Sequence, residues 1–462
     1  MSVNFNYKMS QFKLKSAVMF FVCWFSIYPI IAQQNTFPKK DNYIQLQERA
    51  TRENKPMFLV IHQQDEQFVP FVGAVSKKAE DFLNTQFVSG IVQLDRDDFN
   101  HPLKRNFNLD KPMYLFTDRD GIPLLRVDKA VDGGLELEKL LDSVNTLAKA
   151  ETLGKLTAQY RKGMRQQSLL NKMLRYYQTF DQYTDQQVLS DYISQLAIEQ
   201  LNNFETVIFL LSCGPVYNSK SYLLARTNDR MVDSLYSSLP LQVRKKINNR
   251  IIQRTFRESL DKKNYSLAQN IGYFAYQTWT PNYLRGANSQ AFYPLEYKRL
   301  MKDSVSYIRM ARNYYNESYY RIDPDSLSRI DFAQDRQIKI SGNRPMLDSA
   351  QSAAFKTLVD KGRSYYEDDQ ARNLNYGAQQ ILAFEKSNPE VLFDAILWQK
   401  KAIDLKPDVA QYRYTMALLL YRVGFYAQAE AEQQKAAALS KSNKSHGKKM
   451  QTVFKQIQSR SL

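Results

Sequence analysis

The sequence predicts an α/β domain followed by a long all-α helical-repeat region. Three observations predict it. Between residues 41 and 150, short continuous apolar runs alternate with segments of helical periodicity, the pattern of strands buried on both faces between helices. After residue 150 helical spacing takes over. Near the C-terminus, alanines recur at an interval of 34 residues, and a period in that range marks stacked helical units. With 462 residues, 44% of them apolar and 24% charged, the chain can hold about two or three folded domains.

The elements follow in order. Lys8, Lys13 and Lys15 precede the apolar run Ala17 to Ala32, and polar sequence begins at Gln33. This is the layout of a secretory signal peptide, residues 1–32, cleaved after Ala32. The run is interrupted by Pro29 and falls short of the ~20 residues a spanning helix needs. Cys23 sits in mid-run, not at the lipidation position. Without the signal one cysteine is left, Cys213, so no internal disulfide can form. Its apolar setting, Phe209-Leu210-Leu211-Ser212-Cys213, reads as a buried small hydrophobe.

In 41–150, Ile44, Leu46 and Ala50 give the first segment a helical face, and Lys55-Pro56 breaks it. Met57-Phe58-Leu59-Val60-Ile61 is a continuous apolar run, hence a central strand. A helix is expected over 76–86, with Ala79, Phe82 and Leu83 on one side. Strands follow at 87–95 and 112–116, then a hairpin turn at Asp120-Gly121, a strand at 124–127 and a helix over 134–147.

Specific residues in this segment carry a family resemblance. They are Lys55-Pro56 before the first strand, Phe87-Val88 leading into a strand that ends at Asp95, Lys111-Pro112 before Tyr114-Leu115-Phe116, and Asp118-Arg119-Asp120-Gly121 at the hairpin. The segment resembles the secreted bacterial thioredoxin-like proteins related to the thiol–disulfide interchange group. The resemblance implies a thioredoxin-like fold over 41–150, with Lys111, Pro112 and Met113 as its cis-proline-like loop. It also implies an active-site loop at Asp65, Glu66 and Val69, with Glu66 near the first cysteine slot and Val69 near the second. Neither position is cysteine, and thiol–disulfide exchange needs a thiolate. The domain is therefore expected to be redox-inactive.

Residues 151–345 read as a helical domain, for which degenerate repeats of the kind found further on are one expected construction. Thr184-Asp185-Gln186-Gln187 is a capping-box start, with Thr184 as the cap, and Val188, Tyr192 and Leu196 share one face. Further helices are expected over 156–165, 170–178, 204–211, 241–260 and 266–278, punctuated by Pro215, Pro240 and Pro281. Lys263-Asn264-Tyr265 reads as a turn between paired helices. Tyr314, Tyr315, Tyr319 and Tyr320 form an aromatic stripe that reads as core.

In 346–462, Ala383, Ala395 and Ala402 recur as Ala417, Ala429 and Ala436, and Gln399 and Lys401 recur as Gln433 and Lys435. Pro407 ends the first unit, Gly424-Phe425-Tyr426 turns the second, and Pro389 shortens the first helix of the first. The pattern resembles a tetratricopeptide repeat, ended by a cap helix over 451–457. The resemblance implies a concave groove that grips an extended peptide, presented here by Gln411, Tyr414, Leu418, Tyr421 and Arg422.

Charge is uneven. The chain carries a net +17, of which residues 33–150 hold −2, residues 151–300 hold +9 and residues 301–462 hold +7. A basic helical surface suits acidic partners or the anionic cell envelope, and export argues against nucleic acid. The three histidines, His62, His101 and His446, lack ligand spacing, so no metal or other cofactor is expected. Asp95, Asp97 and Asp98 do not match a calcium loop. No Gly-rich phosphate loop or nucleophile elbow occurs.

The expectation is an exported, non-enzymatic binding or scaffold protein of the bacterial periplasm or cell envelope, engaging protein or peptide partners. Two alternatives remain open. One is an accessory or holdase in periplasmic disulfide and folding pathways. The other is an enzyme of unknown type using His62, Asp65 and Glu66.

Overall fold

A computed structural model describes residue 38 and residues 40–461, apart from 64–69, 96–97, 110, 281, 336–339, 342–343, 346–348, 386 and 441–443. The signal segment 1–32 and the loop residues Asp65, Glu66 and Val69 lie outside the described residues. The N-terminal part is a small mixed α/β unit. It contains α1 (Tyr43–Glu53), β1 (Met57–Gln63), α2 (Lys77–Gln86), β2 (Val88–Leu94), α3 (Pro102–Asn106), β3 (Met113–Thr117), β4 (Pro123–Val127) and α4 (Leu135–Lys149). The sheet order is β2-β1-β3-β4. β1 and β2 are parallel, whereas β1/β3 and β3/β4 are antiparallel.

The continuous apolar run puts β1 at the centre, because Met57 to Ile61 are all buried. Successive side chains alternate between faces. Phe58 and Val60 join Ala79, Leu83, Leu137 and Leu141 of α2 and α4 in one core. Met57, Leu59 and Ile61 join Leu46 and Ala50 of α1 in another. Gly90 in β2 makes room for this second layer, since a Cβ there would lie 2.5 Å from a Leu46 methyl. Ser76 caps α2, its hydroxyl accepting from the Ala79 amide, and Asn42 caps α1 in the same way.

The rest of the described chain is almost wholly helical: α5 (Leu153–Arg161), α6 (Gln167–Thr179), α7 (Gln186–Ile193), α8 (Ile198–Leu201), α9 (Phe204–Ser212), α10 (Lys220–Ala225), α11 (Asp229–Tyr236), α12 (Leu241–Asp261), α13 (Tyr265–Thr278) and α14 (Tyr283–Leu300). Then come α15 (Ser304–Tyr315), a single π-helical turn (Asn316–Tyr320), α16 (Pro324–Asp335), α17 (Ser349–Phe384), α18 (Pro389–Leu405), α19 (Ala410–Arg422), α20 (Tyr426–Leu439) and α21 (Lys444–Gln458). A two-residue ladder pairs Ile340–Ser341 with Arg344–Pro345. Consecutive helices pack as pairs, above all α13 with α14, α17 with α18 and α19 with α20, the arrangement of a helical repeat.

The core beneath the sheet does not stop at the end of the α/β unit. It continues through Leu153, Leu170, Val188, Leu210, Ile251 and Ile271 to Tyr297 of α14. A second core begins on the same helix at Leu295 and runs through Tyr307, Tyr315, Leu374, Trp398 and Leu419. α14 thus serves two cores from one element, and it contains Pro294. Proline has no N–H to give to the carbonyl four residues back, which is that of Gln290. Gly272 of α13 faces that carbonyl, and a Cβ there would meet it at 2.5 Å.

Three local expectations are corrected. α7 is capped by Asp185, whose Oδ1 accepts from the Gln187 and Val188 amides, while the Thr184 hydroxyl is buried without a partner. A carboxylate outcompetes a hydroxyl for helix N–H groups. Ala383 is exposed, although Ala395, Ala402, Ala417, Ala429 and Ala436 are buried. The first helix of that unit is not shortened but is the end of a 36-residue helix. It buries Ala371, Leu374, Ala378 and Ile381 instead, which turns Ala383 outward. Lys401 and Lys435 occupy the same repeat position with different partners. Lys401 donates to the carbonyls of Tyr319 and Ile322 at 3.3 and 2.8 Å, and Lys435 pairs with Glu432 at 2.7 Å.

Candidate functional site

Three places bear on function. The first is the end of β1. Gln63 donates from Nε2 to the Leu109 carbonyl at 3.1 Å, tying the strand to the loop that leads into β3. In that loop Lys111 is exposed, Pro112 is half-buried and Met113 is buried opposite Ile61. His62 Nδ1 lies 2.9 Å from the Gln63 carbonyl oxygen. Among the described residues no group of three His, Cys, Asp or Glu could hold a metal ion.

The same loop carries the junction with the helices. Phe107 bridges to Gln182 in antiparallel fashion. The Asn108 amide donates to the Asp181 carbonyl at 3.2 Å, and the Tyr183 amide to the Asn106 carbonyl at 2.8 Å. Arg126 of β4 reaches across to the carbonyls of Phe180 and Asn108, at 2.9 and 3.1 Å. Arg250 of α12 donates from Nε and Nη2 to Asp181 Oδ1, at 3.0 and 2.7 Å. Asp181 lies at φ +49°, a left-handed conformation that Asp tolerates better than most residues.

Cys213 lies next to this junction and away from the sheet. It is the C-cap of α9 and is buried. Burial pushes its thiol up to about 12, against the Gln178 side chain, which donates to Sγ at 3.2 Å. Such a thiol is neither nucleophilic nor metal-binding at neutral pH.

The second place is the C-terminal stack. Tyr414, Leu418 and Tyr421 of α19 are partly buried against Ala417, Ala429, Val453 and Ile457, so helix α21 takes part in covering them. Gln411 is half-buried and Arg422 is exposed. Gln399 and Gln433, related by the repeat interval, are both wholly buried. Gln399 Nε2 donates to the Tyr412 carbonyl at 2.7 Å, and Gln433 Nε2 to the Met450 carbonyl at 2.8 Å. Each links the second helix of its pair to the next helix along the stack.

The third place went unnoticed in the sequence. A cavity of about 550 Å³ opens between α10, α11, α12 and α13. Its wall is aromatic, with Tyr217 and Tyr222 edge to face at 5.0 Å and Phe274 at 4.9 Å from Tyr217. Arg226 lies on one side, donating to Asp229 and Asp233 at 2.8 Å each. Asn248 lies on another, its Oδ1 accepting from the Tyr236 hydroxyl at 2.7 Å. Gln277 and Asn218 complete the rim. Burial pushes Tyr222 and Tyr236 up to about 12, so both hydroxyls keep their protons. The contributing residues are spread over more than sixty positions and share no period. The local signal was the aromatic density itself, which reads equally as core.

No family model, no curated protein and no solved structure matches this chain.

Proposed function

We propose that the chain is an exported, non-enzymatic scaffold of the periplasm or cell envelope. On this reading its sheet unit is thioredoxin-like but redox-inactive, and its C-terminal helix pairs are tetratricopeptide-like repeats that hold protein partners. The repeated glutamine link carries the reading, since the same buried bond recurs from one helix pair to the next. The strand order, with β1 parallel to β2 and antiparallel to β3, supports the thioredoxin-like assignment. Cys213, the one cysteine among the described residues, is buried, which supports a role without thiol exchange. Tyr and Arg on one helix are the residue types enriched at binding hot spots, and here they are Tyr414, Tyr421 and Arg422 of α19.

Site-specific photocrosslinking in expressing cells tests this. Crosslinkers at Gln411 and Arg422 are expected to yield the same protein adduct, and one at Lys139 on α4 to yield none. Arg422→Glu is expected to weaken the adduct at position 411. Adducts that are equal at all three positions, or none at any, overturn the scaffold reading. Measurable insulin reduction by the purified chain overturns the redox-inactive part.

A further inference from the structure

We propose that the cavity between α10 and α13 binds a neutral saccharide of one or two rings. Its volume of about 550 Å³ falls within the ~300–1,000 Å³ of small-molecule sites. Three properties select the ligand class. The first is the aromatic wall. Tyr217, Tyr222 and Phe274 pack edge to face or tilted. Aromatic rings carry a negative π-face, which attracts the weakly positive C–H bonds on one face of a pyranose.

The second is the supply of hydrogen bonds. Tyr222 is 6% exposed, and its hydroxyl has no hydrogen bond among the described residues. The hydroxyl is not among the buried polar atoms without a partner but opens on the cavity, where a ligand can reach it. Asn248 accepts through Oδ1 and has both N–H groups to give. The Gln277 carboxamide can both give and take. A rim that offers donors and acceptors together matches hydroxyl groups, each of which also does both.

The third is charge. Arg226 is held between Asp229 and Asp233 by bonds of 2.8 Å each. The two carboxylates disfavour an anion. A cation would compete with the guanidinium already seated there. A neutral polyhydroxylated ring meets neither cost. Asn218, at φ +60°, turns the chain at the mouth, and Asn is among the few residues that hold this conformation readily.

The test is saturation-transfer NMR on the full chain. The panel comprises glucose, galactose, mannose, N-acetylglucosamine, maltose and cellobiose, with choline and inorganic phosphate as charged controls. At least one neutral sugar is expected to bind and neither control to compete with it. Gln277→Ala alters an exposed side chain, and Tyr222→Phe removes only a hydroxyl, so both variants should keep the wild-type circular dichroism spectrum. Each is expected to weaken sugar binding about tenfold, the size of one lost hydrogen bond. Absence of sugar binding, binding of choline or phosphate instead, or sugar affinity unchanged in both variants would each overturn the proposal.

Discussion

Cys213 and Asp181 line one small space together with Gln182, Thr184 and Arg250. The thiol is sealed there by burial and by Gln178. It is expected to resist a maleimide reagent in the native chain and to react once the chain is unfolded in denaturant. Labelling followed by mass spectrometry reads this directly. Rapid labelling of native protein would contradict a sealed thiol. The sequence made this residue legible because its neighbours are apolar. It did not make Thr184 and Asp185 legible in the right order, since both side chains can cap a helix and they are adjacent. The carboxylate is the stronger acceptor, but the path of the chain into α7 must also turn it toward the free amides.

At the scale of elements, the stack is joined by side chains bonded to backbone. Gln399→Leu removes the donor to the buried Tyr412 carbonyl, and Gln433→Leu does the same for Met450. Each acceptor keeps its own N–H partner within the helix, so what is lost is one net hydrogen bond, about 0.5–1.5 kcal/mol. Each substitution is expected to lower stability by that amount in urea titration, without changing helix content before the transition. The interval between these glutamines was visible in the sequence, but their bonds were not, because the acceptors are backbone atoms of the following helix. Helix lengths were less legible. α17 runs through the expected unit boundary, and α14 contains a proline that a pattern reading treats as a breaker. The glycine at 272 lets α13 come close to the Gln290 carbonyl that the proline leaves without an N–H, and such a close approach has no local signature. The π-turn at Asn316–Tyr320 is equally non-local. The carbonyls of Tyr319 and Tyr320 at its end, and of Ile322 just beyond it, are taken up by Gln370 and Lys401, and burial lowers the Lys401 ammonium below its usual value.

For the whole molecule, the composition change near residue 150 suggested separate parts, and the contacts join them. The Asp181 clasp is the place to test this. Asp181→Asn keeps a side chain suited to the left-handed backbone but removes the charge that faces Arg250 and, at 3.9 Å, Arg126. Both arginine side chains are under a tenth exposed. Asp181 is 24% exposed and both arginines keep other partners, so the loss is that of charge-assisted hydrogen bonds, about 1.5–3 kcal/mol. The expected outcome is a lower unfolding midpoint and new proteolytic cleavage around 106–110 and 180–185, where the two parts meet. An unchanged midpoint would mean that the apolar core alone holds the junction. The positions of the strands and the helical character of the remainder were legible because they rest on local period; the order of the strands in the sheet was not. The junction and the aromatic cavity were not, because each is assembled from residues that only the folded chain brings together.

α14 presents Tyr297 to the first core and Leu295 to the second. Close-packed interiors barely compress, so a displacement of this one helix must be taken up on both sides at once. α14 therefore works as a lever rather than as filling. It places the sheet and the C-terminal stack in mechanical series, whatever the distance between them along the chain.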